Sequence, residues 1–176
     1  DGSPTLDFDW HVRKYAPDGT LIWSDRQDAN QLNDYALSVA VLPGSNDILV
    51  GGYLNQGTDN AANADYDWQI VRYAPLGEIL ATWGYGSAGV NDACRDLAVA
   101  PDGTLYAGGD TGDELGSRMG WLLRIDPADG GILARSYPEG ATNINALDLR
   151  DGHLALAGHA DNGTDLDFWV SLMALP

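Results

Sequence analysis

Short runs of β-branched, aromatic and aliphatic residues recur along the whole chain, each bounded by Gly, Pro, Asn or Asp. In the best-preserved stretch these runs cover residues 37–42, 48–53, 67–74 and 78–83. Tight turn signals join them in pairs, because Pro fixes φ at an early turn position and Gly accepts the positive φ that closes a hairpin. No stretch of the sequence shows a sustained apolar period of 3.6 residues with helix caps. The pattern therefore predicts an all-β protein of short antiparallel strands.

Two sequence motifs alternate along the chain and recur in the same order. The first is a hairpin that opens on Asp-Trp and continues through Arg-Tyr-x-Pro-x-Gly. Its copies align on Trp10, Trp68, Gly120 and Phe168, at spacings of 58, 52 and 48 residues. The second motif leads from Asn-Asp into an apolar run, a tight turn and a second run that ends in Gly-Gly or Ala-Gly. Two independent motifs in a fixed order indicate a tandem structural repeat.

Each repeat holds four short strands, a, b, c and d, in about 50 residues, which is typical of β-propeller blades. We expect strands c and d of a first blade in residues 1–35, complete blades in 36–90 and 91–140, and strands a, b and c of a further blade in 141–176. A closed propeller needs about four to eight blades. The chain is therefore expected to be a segment of a larger propeller, with a ring of several copies or an open stack as the alternatives.

The hairpin motifs resemble those of bacterial SBBP-type β-propeller repeats and the related delta-sixty repeats, and more distantly those of the NHL class. The resemblance rests on the Asp-Trp hairpin, on Asn-Asp before strand a, and on Pro-Asp-Gly-x-Leu-x-x-Gly-Gly at residues 101–109. It implies a secreted or cell-surface bacterial scaffold, with the periplasm as the alternative location. These families share no catalytic residues that could be carried over. Met119 and Gly120 stand where the motif has Asp-Trp, so no site built on that Asp is expected in the third copy.

The charge balance argues against two classes of partner. Nine Lys and Arg face 26 Asp and Glu, a formal net charge of −17, which disfavours nucleic acid and anionic membrane surfaces. No apolar run reaches the roughly 20 residues of a transmembrane helix, so we expect no membrane insertion. The acidic residues are nearly all Asp, which favours turns and hard-cation sites over helix interiors. Cys94 is the only cysteine, so the chain forms no internal disulfide.

Acidic residues concentrate in the loops between strands b and c, on the same edge of the predicted blades as the d–a loops. Gly57-Thr58-Asp59 precedes Asp65-Tyr66-Asp67, and Gly163-Thr164-Asp165 precedes Leu166-Asp167. Alternating Asp residues place two carboxylates on one side of a strand, and Ca²⁺ takes about six to eight oxygen ligands. We expect either a calcium site in each loop or Asp side chains that cap turns and bond the next blade. The candidate calcium ligands are Asp59, Asp65, Asp67, Asp161, Asp165 and Asp167.

Aromatic residues recur at equivalent positions, which predicts that they pack between blades. The tryptophans of the predicted c strands are Trp10, Trp68, Trp121 and Trp169. A second interpretation applies to tyrosines at the long loops, whose rings are platforms for carbohydrate. These are Tyr35, Tyr53, Tyr66 and Tyr85.

The function expected from the sequence is a non-enzymatic secreted or surface module that serves as scaffold, adhesion or binding surface, stabilised by calcium if the acidic loops bind it. The alternative is a glycan-binding lectin, or a polysaccharide lyase or hydrolase with its site on the acidic long-loop face. An enzyme needs convergent groups of different types, whereas the Asp residues occupy repeated positions. The expected partners are further blades or further copies of the chain, with a glycan as ligand in the alternative.

Overall fold

The computed structural model describes residues 8–28, 32–57, 65–86, 89–112 and 117–175. These residues form strands and connections only, as the sequence predicts, and include no helix that could cross a membrane. The strands in chain order are β1 (Trp10–Tyr15), β2 (Leu21–Gln27), β3 (Tyr35–Val41), β4 (Ile48–Asn55), β5 (Tyr66–Tyr73), β6 (Ile79–Tyr85), β7 (Ala93–Val99), β8 (Leu105–Gly112), β9 (Arg118–Ile125), β10 (Ile132–Ser136), β11 (Ala141–Arg150), β12 (His153–Asp161) and β13 (Leu166–Ala174).

The described strands form four antiparallel sheets in which consecutive strands are neighbours. The first sheet contains β1 and β2, the second β3–β6, the third β7–β10 and the fourth β11–β13. The runs predicted at residues 37–42, 48–53, 67–74 and 78–83 appear as β3–β6, with ends that differ by at most two residues. Short connections favour this arrangement, because antiparallel neighbours can be joined by a tight turn.

Glycines in left-handed turn positions close three of the hairpins on one edge of the sheets. Gly19, Gly77 and Gly103 have φ values of 85°, 96° and 92°. Each glycine N–H donates to the carbonyl of the alanine three residues earlier, at 2.9 Å. Because the strands alternate in direction, the described ends of the b–c and d–a connections all lie on the opposite edge, which we call the long-loop edge. The acidic segments identified in the sequence begin and end there.

The sheets stack face to face, with a separate apolar core in each of the three interfaces. The first strand of each following sheet lies across the preceding sheet: β7 contacts β3, β4 and β5, and β11 contacts β7, β8 and β9. Trp10 and Val71 are central to the first core, and Trp68 and Leu123 to the second. Ile144 belongs to the third. Both faces of the third sheet are thus covered, whereas the first sheet covers only part of the second.

An indole ring lies on a strand-b glycine in each of the first two interfaces. A Cβ atom on Gly52 would lie 2.8 Å from the ring of Trp10, and one on Gly109 would lie 2.7 Å from the ring of Trp68. At both glycines the Cβ would also overlap a carbonyl oxygen of the neighbouring strand a. The Gly-Gly ending of strand b is therefore required by close approach of backbone and ring.

The Asn-Asp motif before strand a ties neighbouring sheets together. Asn33 Oδ1 accepts the Phe8 N–H at 2.9 Å, and the N–H of the next residue, Asp34, donates to the Phe8 carbonyl at 2.6 Å. Asn91 makes the equivalent bond with the N–H of Tyr66, at 3.0 Å. The carboxylates of both motif aspartates accept N–H groups near the end of strand b. These repeated polar residues are therefore structural.

Sheet faces toward the two ends of the stack expose side chains whose equivalents in the middle of the stack are buried. Phe168 on β13 is 82% exposed, whereas Trp68 at the equivalent position of β5 is 0% exposed. Val39 on β3 is 64% exposed, whereas Leu97 at the equivalent position of β7 is 6% exposed. In the described part of the chain, the fourth sheet has no sheet beyond it and the first sheet has only two strands. The described sheets form no closed barrel or closed propeller.

We predict that Gly52→Ala destabilises the fold by about 2 kcal/mol or more, because the added methyl overlaps backbone that cannot move aside. Gly84→Ala is the matched control, since its Cβ would meet only the Trp68 carbonyl oxygen at 4.0 Å. We expect this control to stay within about 1 kcal/mol of the parent chain. Urea denaturation measures both free energies of unfolding. Equal effects of the two variants would contradict the required close approach.

We also predict that the isolated chain self-associates through its two uncovered faces, because exposed apolar sheet faces and unpaired edges promote association. Light scattering should give a native mass above the 18.8 kDa of one chain. Phe168→Ser should shift the distribution toward the monomer. Leu76→Ser, at an 84% exposed turn position outside both faces, should leave it unchanged. A monomer at all concentrations would contradict the prediction.

Candidate functional site

The acidic loop between β4 and β5 lies only partly within the described residues. Asp59 is outside them, whereas Asp65 and Asp67 lie at the start of β5. Asp65 Oδ1 accepts a backbone N–H of the following d–a loop at 3.0 Å. The carboxylates of Asp67 and Asp92 both approach Gly86, where a Cβ atom would lie 2.6 Å and 2.7 Å from one oxygen of each. Three carboxylates therefore converge beside this loop.

Burial and neighbouring negative charges both raise the pKa of Asp67. Loss of solvent raises the pKa of its carboxyl group, and the neighbouring carboxylates of Asp65 and Asp92 raise it further. The ionised form is therefore less favourable in the folded chain than in the unfolded chain. Ionisation of Asp67 costs stability at neutral pH unless a cation relieves the repulsion.

The corresponding acidic loop of the fourth sheet is a hydrogen-bonded turn. The side-chain amide of Asn162 donates to Asp165 Oδ1 at 2.7 Å and to Asp167 Oδ2 at 2.8 Å. Asp161 Oδ1 accepts the N–H of Gly163 at 2.7 Å. All three predicted ligands of this loop thus have partners within the turn, which agrees with the structural interpretation of these residues.

Within the described ranges, no group of three or more His, Cys, Asp or Glu side chains is arranged to hold a metal ion. The predicted ligand set of the first loop includes Asp59, which lies outside those ranges. Calcium in that loop therefore stays a prediction.

Four aromatic rings form a continuous row along the long-loop edge of the first two sheets. The ring centroids of Phe8 and Tyr35 are 5.6 Å apart in a stacked arrangement. Tyr35 and Tyr53 follow at 4.9 Å, and Tyr53 and Tyr66 at 5.0 Å with an edge-on contact. We call Phe8, Tyr35, Tyr53 and Tyr66 the aromatic row. Phe8 is largely exposed and the tyrosines are half-buried.

Strand register places the three tyrosines together. Tyr35 on β3 lies directly opposite Tyr53 on β4, and Tyr53 lies opposite Trp68 on β5. Tyr66 precedes Trp68 by two residues, so its side chain shares the same face of the sheet and is a diagonal neighbour of Tyr53. The row therefore follows from alternation within three adjacent strands.

Two arginines flank the end of the aromatic row at the start of the third sheet. Arg95 Nε donates to Asp110 Oδ1 at 2.5 Å, and Arg118 Nη1 pairs with Asp110 Oδ2. Asp110 is fully buried, whereas the side chains of Arg95 and Arg118 are 30% and 48% exposed. We call Arg95 and Arg118 the arginine pair. A cleft of about 110 Å³ separates this pair from Tyr53 and Tyr66.

Burial and charge distinguish Tyr53 from an ordinary surface tyrosine. Loss of solvent raises the pKa of its hydroxyl group most, with Tyr35 adding to the rise and the Arg95 cation opposing it. The phenol therefore stays protonated at neutral pH and offers both a donor and an acceptor to a ligand. The ring of Tyr53 and the guanidinium group of Arg95 both line the same cleft.

Phe8 and Tyr66 both stand two residues before the motif tryptophan and so share a repeat position, but the other tyrosines of the row and the arginine pair are not repeated. Register aligns the tyrosines of the second sheet with different residue types in the third: Tyr35 with Ala93, Tyr53 with Asp110 and Tyr66 with Arg118. Packing between sheets alone would favour the same residue type in each copy. The divergence at these positions therefore marks the cleft as the candidate functional site.

Sequence reasoning identified part of this site and missed the rest. It named Tyr35, Tyr53 and Tyr66 as carbohydrate platforms, together with Tyr85. Tyr85 lies elsewhere, and its hydroxyl group donates to the Gly130 carbonyl at 2.8 Å. Phe8 and the arginine pair were missed. A comparison of the copies for positions that diverge would have found the arginines.

The arrangement is suited to binding rather than to bond cleavage. Flat aromatic surfaces suit apolar C–H faces, and Arg95 and Arg118, which both line the cleft, have N–H groups beyond those that bind Asp110. No protein-family model matches the chain, and no curated protein is similar to it. The resemblance to bacterial propeller repeats therefore rests on the motifs alone.

We predict that Asp67→Asn stabilises the chain at pH 7 in the presence of a chelator. Because the folded-state pKa is raised, the cost of ionising Asp67 appears as the pH rises through the unfolded and then the folded pKa. The gain of the variant should therefore shrink as the pH falls toward 4. Thermal melting across this pH range measures the difference. Asp18→Asn, at an exposed turn, is the control and should show no such gain.

The same melting experiment tests calcium. If the first loop binds Ca²⁺, added calcium should raise the melting temperature of the parent chain, and Asp67→Asn should abolish the rise. Magnesium should have a smaller effect, since it demands a tighter octahedral geometry. Equal shifts with both ions would mean screening of the acidic edge and would contradict a calcium site.

Proposed function

We propose that this chain is a non-enzymatic binding module built of β-propeller blades, secreted or displayed at the cell surface, whose ligand is a glycan. The observation that carries the proposal is the aromatic row beside the arginine pair. The row presents several ring surfaces in succession, and the arginines add directed donors at its end. This combination fits a ligand with alternating apolar faces and hydroxyl groups.

Pyranose rings have that chemistry. Their C–H faces pack on aromatic rings, which bury area with few rotatable bonds, and their hydroxyl groups accept hydrogen bonds from guanidinium groups. Successive ring centroids lie 4.9–5.6 Å apart and the rings pack on one another, so a glycan would contact the outer face of Phe8 and the free ring edges of several residues. An oligosaccharide is therefore favoured over a single small molecule.

Stacked nucleic acid bases are the other polymer that aromatic rows bind. Such sites combine the rings with a positively charged groove that follows the phosphates. Here the formal net charge is −17, and the arginine pair shares the negative charge of Asp110. Phosphate repulsion would outweigh the stacking, so a neutral glycan is the better ligand.

The stacking of the sheets supports the propeller part of the proposal. The first strands approach one another most closely: Ser38 Oγ donates to Asp96 Oδ1 at 2.6 Å, and Asp96 Oδ2 accepts the Leu147 N–H at 2.7 Å. This chain of bonds joins β3, β7 and β11, as expected where the innermost strands of blades meet. The uncovered faces at both ends fit further blades, or further copies of the chain, as partners.

A polysaccharide hydrolase is the second candidate, favoured by the raised pKa of Asp67, which suits a general acid. Tyr66 and Asp67 are adjacent on β5, so their side chains point to opposite faces of the strand. Asp67 is therefore directed away from the aromatic row. Turnover of a polysaccharide that Asp67→Asn abolishes would reverse this ranking.

We predict that immobilised neutral oligosaccharides capture the chain and that Phe8→Ala and Tyr53→Ala each weaken binding by about tenfold, since each removes a ring surface from the row. Phe8 is largely exposed, so its removal leaves the cores intact. Tyr15→Ala is the matched control, because Tyr15 is 51% exposed on the outer face of the first sheet. Its affinity should equal that of the parent chain.

Screening on a glycan array selects the oligosaccharide, and calorimetry then measures its affinity for each variant. If Phe8→Ala and Tyr53→Ala bind the oligosaccharide as tightly as the parent chain does, the glycan binds elsewhere and the proposed site is wrong. Failure of every neutral glycan to bind would contradict the proposed function.

A further inference from the structure

The face of the fourth sheet that is turned away from the third sheet is a continuous apolar surface. Alternation along β13 places large exposed side chains on this face, and β12 adds small residues beside them. We call the surface the terminal face; it consists of Leu166, Phe168, Val170 and Leu172 on β13 and of Ala155 and Ala157 on β12. Within the described residues, no further sheet lies on it.

The sheets that carry a following sheet hold it by three kinds of repeated contact, and the first is a strand-b glycine beneath the next strand a. A Cβ atom on Gly51 would lie 3.0 Å from the Leu97 side chain, and one on Gly108 would lie 2.9 Å from Ile144. Register aligns both glycines with Ala157 of the fourth sheet. Its methyl group occupies the space that a following strand a would need.

The second contact is a side-chain oxygen on strand a that accepts a backbone N–H of the next strand a. Ser38 Oγ accepts the N–H of Leu97 at 3.1 Å, and Asp96 Oδ2 accepts that of Leu147 at 2.7 Å. The same register position of the fourth sheet holds Ala146. The fourth sheet therefore offers no acceptor to a following strand.

The third contact is a cation on strand c that donates to the c–d turn of the next sheet. Lys14 Nζ donates to the Pro75 carbonyl at 2.6 Å, and Arg72 Nη1 donates to the Pro127 carbonyl at 2.7 Å. The equivalent position of β13 holds Leu172. This residue has no donor for a turn.

All three attachment contacts are thus replaced by apolar side chains on the fourth sheet. A further sheet built like the others would lack its hydrogen bonds there and would meet an extra methyl group. An apolar surface of this kind nevertheless marks an interaction site. The replacements favour a partner that packs on the terminal face by apolar contact alone.

The terminal face is complementary to itself. Ala157 and Val170 lie opposite each other at its centre. A two-fold axis through this centre, in the plane of the interface and across the strands, lays each β13 antiparallel on the partner's β13. Phe168 then meets the partner's Leu172.

The charges at the margins of the terminal face match under the same rotation. Asp161 and His153 lie at opposite ends of β12 and point to the same side of the strand. The two-fold axis therefore brings Asp161 of each copy to the partner's His153. Opposite charges at the rim of an interface favour this orientation over others.

The distribution of charge also favours a second copy at this face. Two copies of a chain with a net charge of −17 repel each other wherever their acidic surfaces meet. Around the terminal face, the acidic residues Asp148 and Asp161 are balanced by Arg150 and by two of the three histidines, His153 and His159. Repulsion between copies is therefore small at this surface.

We propose that two copies of the chain form a closed two-fold dimer by packing their terminal faces against each other. The contact is an aligned packing of two sheets about 10 Å apart. Because each copy uses the same face, the dimer closes and does not grow into a stack. The proposal goes beyond self-association, since it states which face meets which, and it is independent of the aromatic row.

Sedimentation equilibrium tests the stoichiometry. We expect the mass to reach twice the 18.8 kDa of one chain and to rise no further with concentration. Leu172→Lys should weaken the dimer by at least tenfold, because it buries a charge in an apolar interface. Ile22→Lys, at a half-exposed position of the first sheet, is the control and should dimerise as the parent chain does. A monomer at all concentrations, or an undiminished Leu172→Lys dimer, would overturn the proposal.

Cross-linking with a short bismaleimide identifies the faces that meet. Val170→Cys should be linked to itself, because the two-fold axis passes beside this residue. Val39→Cys, on the uncovered face of the second sheet, should be linked neither to itself nor to Val170→Cys. The parent chain is the blank, since its only thiol, Cys94, is fully buried. A link between Val39→Cys and Val170→Cys would show a head-to-tail stack and overturn the closed dimer.

Exchange of charge tests the orientation. His153→Glu should weaken the dimer several-fold at low salt, because the new carboxylate faces the partner's Asp161. Adding Asp161→Lys to this variant should restore most of the loss, since opposite charges face each other again. His11→Glu, which adds the same charge on the first sheet, is the control and should have no effect. If His153→Glu dimerises as the parent chain does, the antiparallel orientation is wrong.

Discussion

The contact of an indole ring with a strand-b glycine is the constraint that sets how the first three sheets pack on one another. Trp10 lies on Gly52, and Trp68 lies on Gly109, so a large ring occupies the space that a side chain would otherwise fill. Burying a tryptophan removes about 150–250 Å² from water, at most about 4–6 kcal/mol of stabilisation. In the third interface, Gly120 replaces the tryptophan.

That substitution changes how the third and fourth sheets meet. A Cβ on Gly120 would lie 2.6 Å from the Cβ of Ala141, the first residue of β11, so the strand packs directly where the ring would have been. The close approach of sheets is preserved although its large residue is lost. The three interfaces are therefore closely packed with different side chains, as expected where packing density sets the stability.

Because the interfaces and the Asn-Asp motif hold the sheets, the long-loop edge is free to differ from copy to copy. In the second sheet, three tyrosines occupy this edge. In the third sheet, the same register positions hold residues of the ion-paired group around Asp110. Repeated polar residues on this edge are structural. The arginine pair, Tyr35 and Tyr53 are not repeated and carry most of the proposed binding chemistry, so function lies on a scaffold whose own requirements are met elsewhere.

The sequence by itself determined the strands, their turns and their grouping, because alternation, turn residues and repeats are local properties of the chain. It also named three tyrosines that meet in the aromatic row. Only the tertiary structure decided which acidic side chains have hydrogen-bond donors. The Asn162 amide donates to Asp165 and Asp167. Asp67 instead lies near the carboxylate of Asp92, which is distant in sequence. The buried indole N–H groups of Trp10 and Trp121, which have no partner among the described residues, are equally a property of the fold. Such pairings depend on how sheets stack, and residue spacing within one strand does not encode the distance to the next sheet.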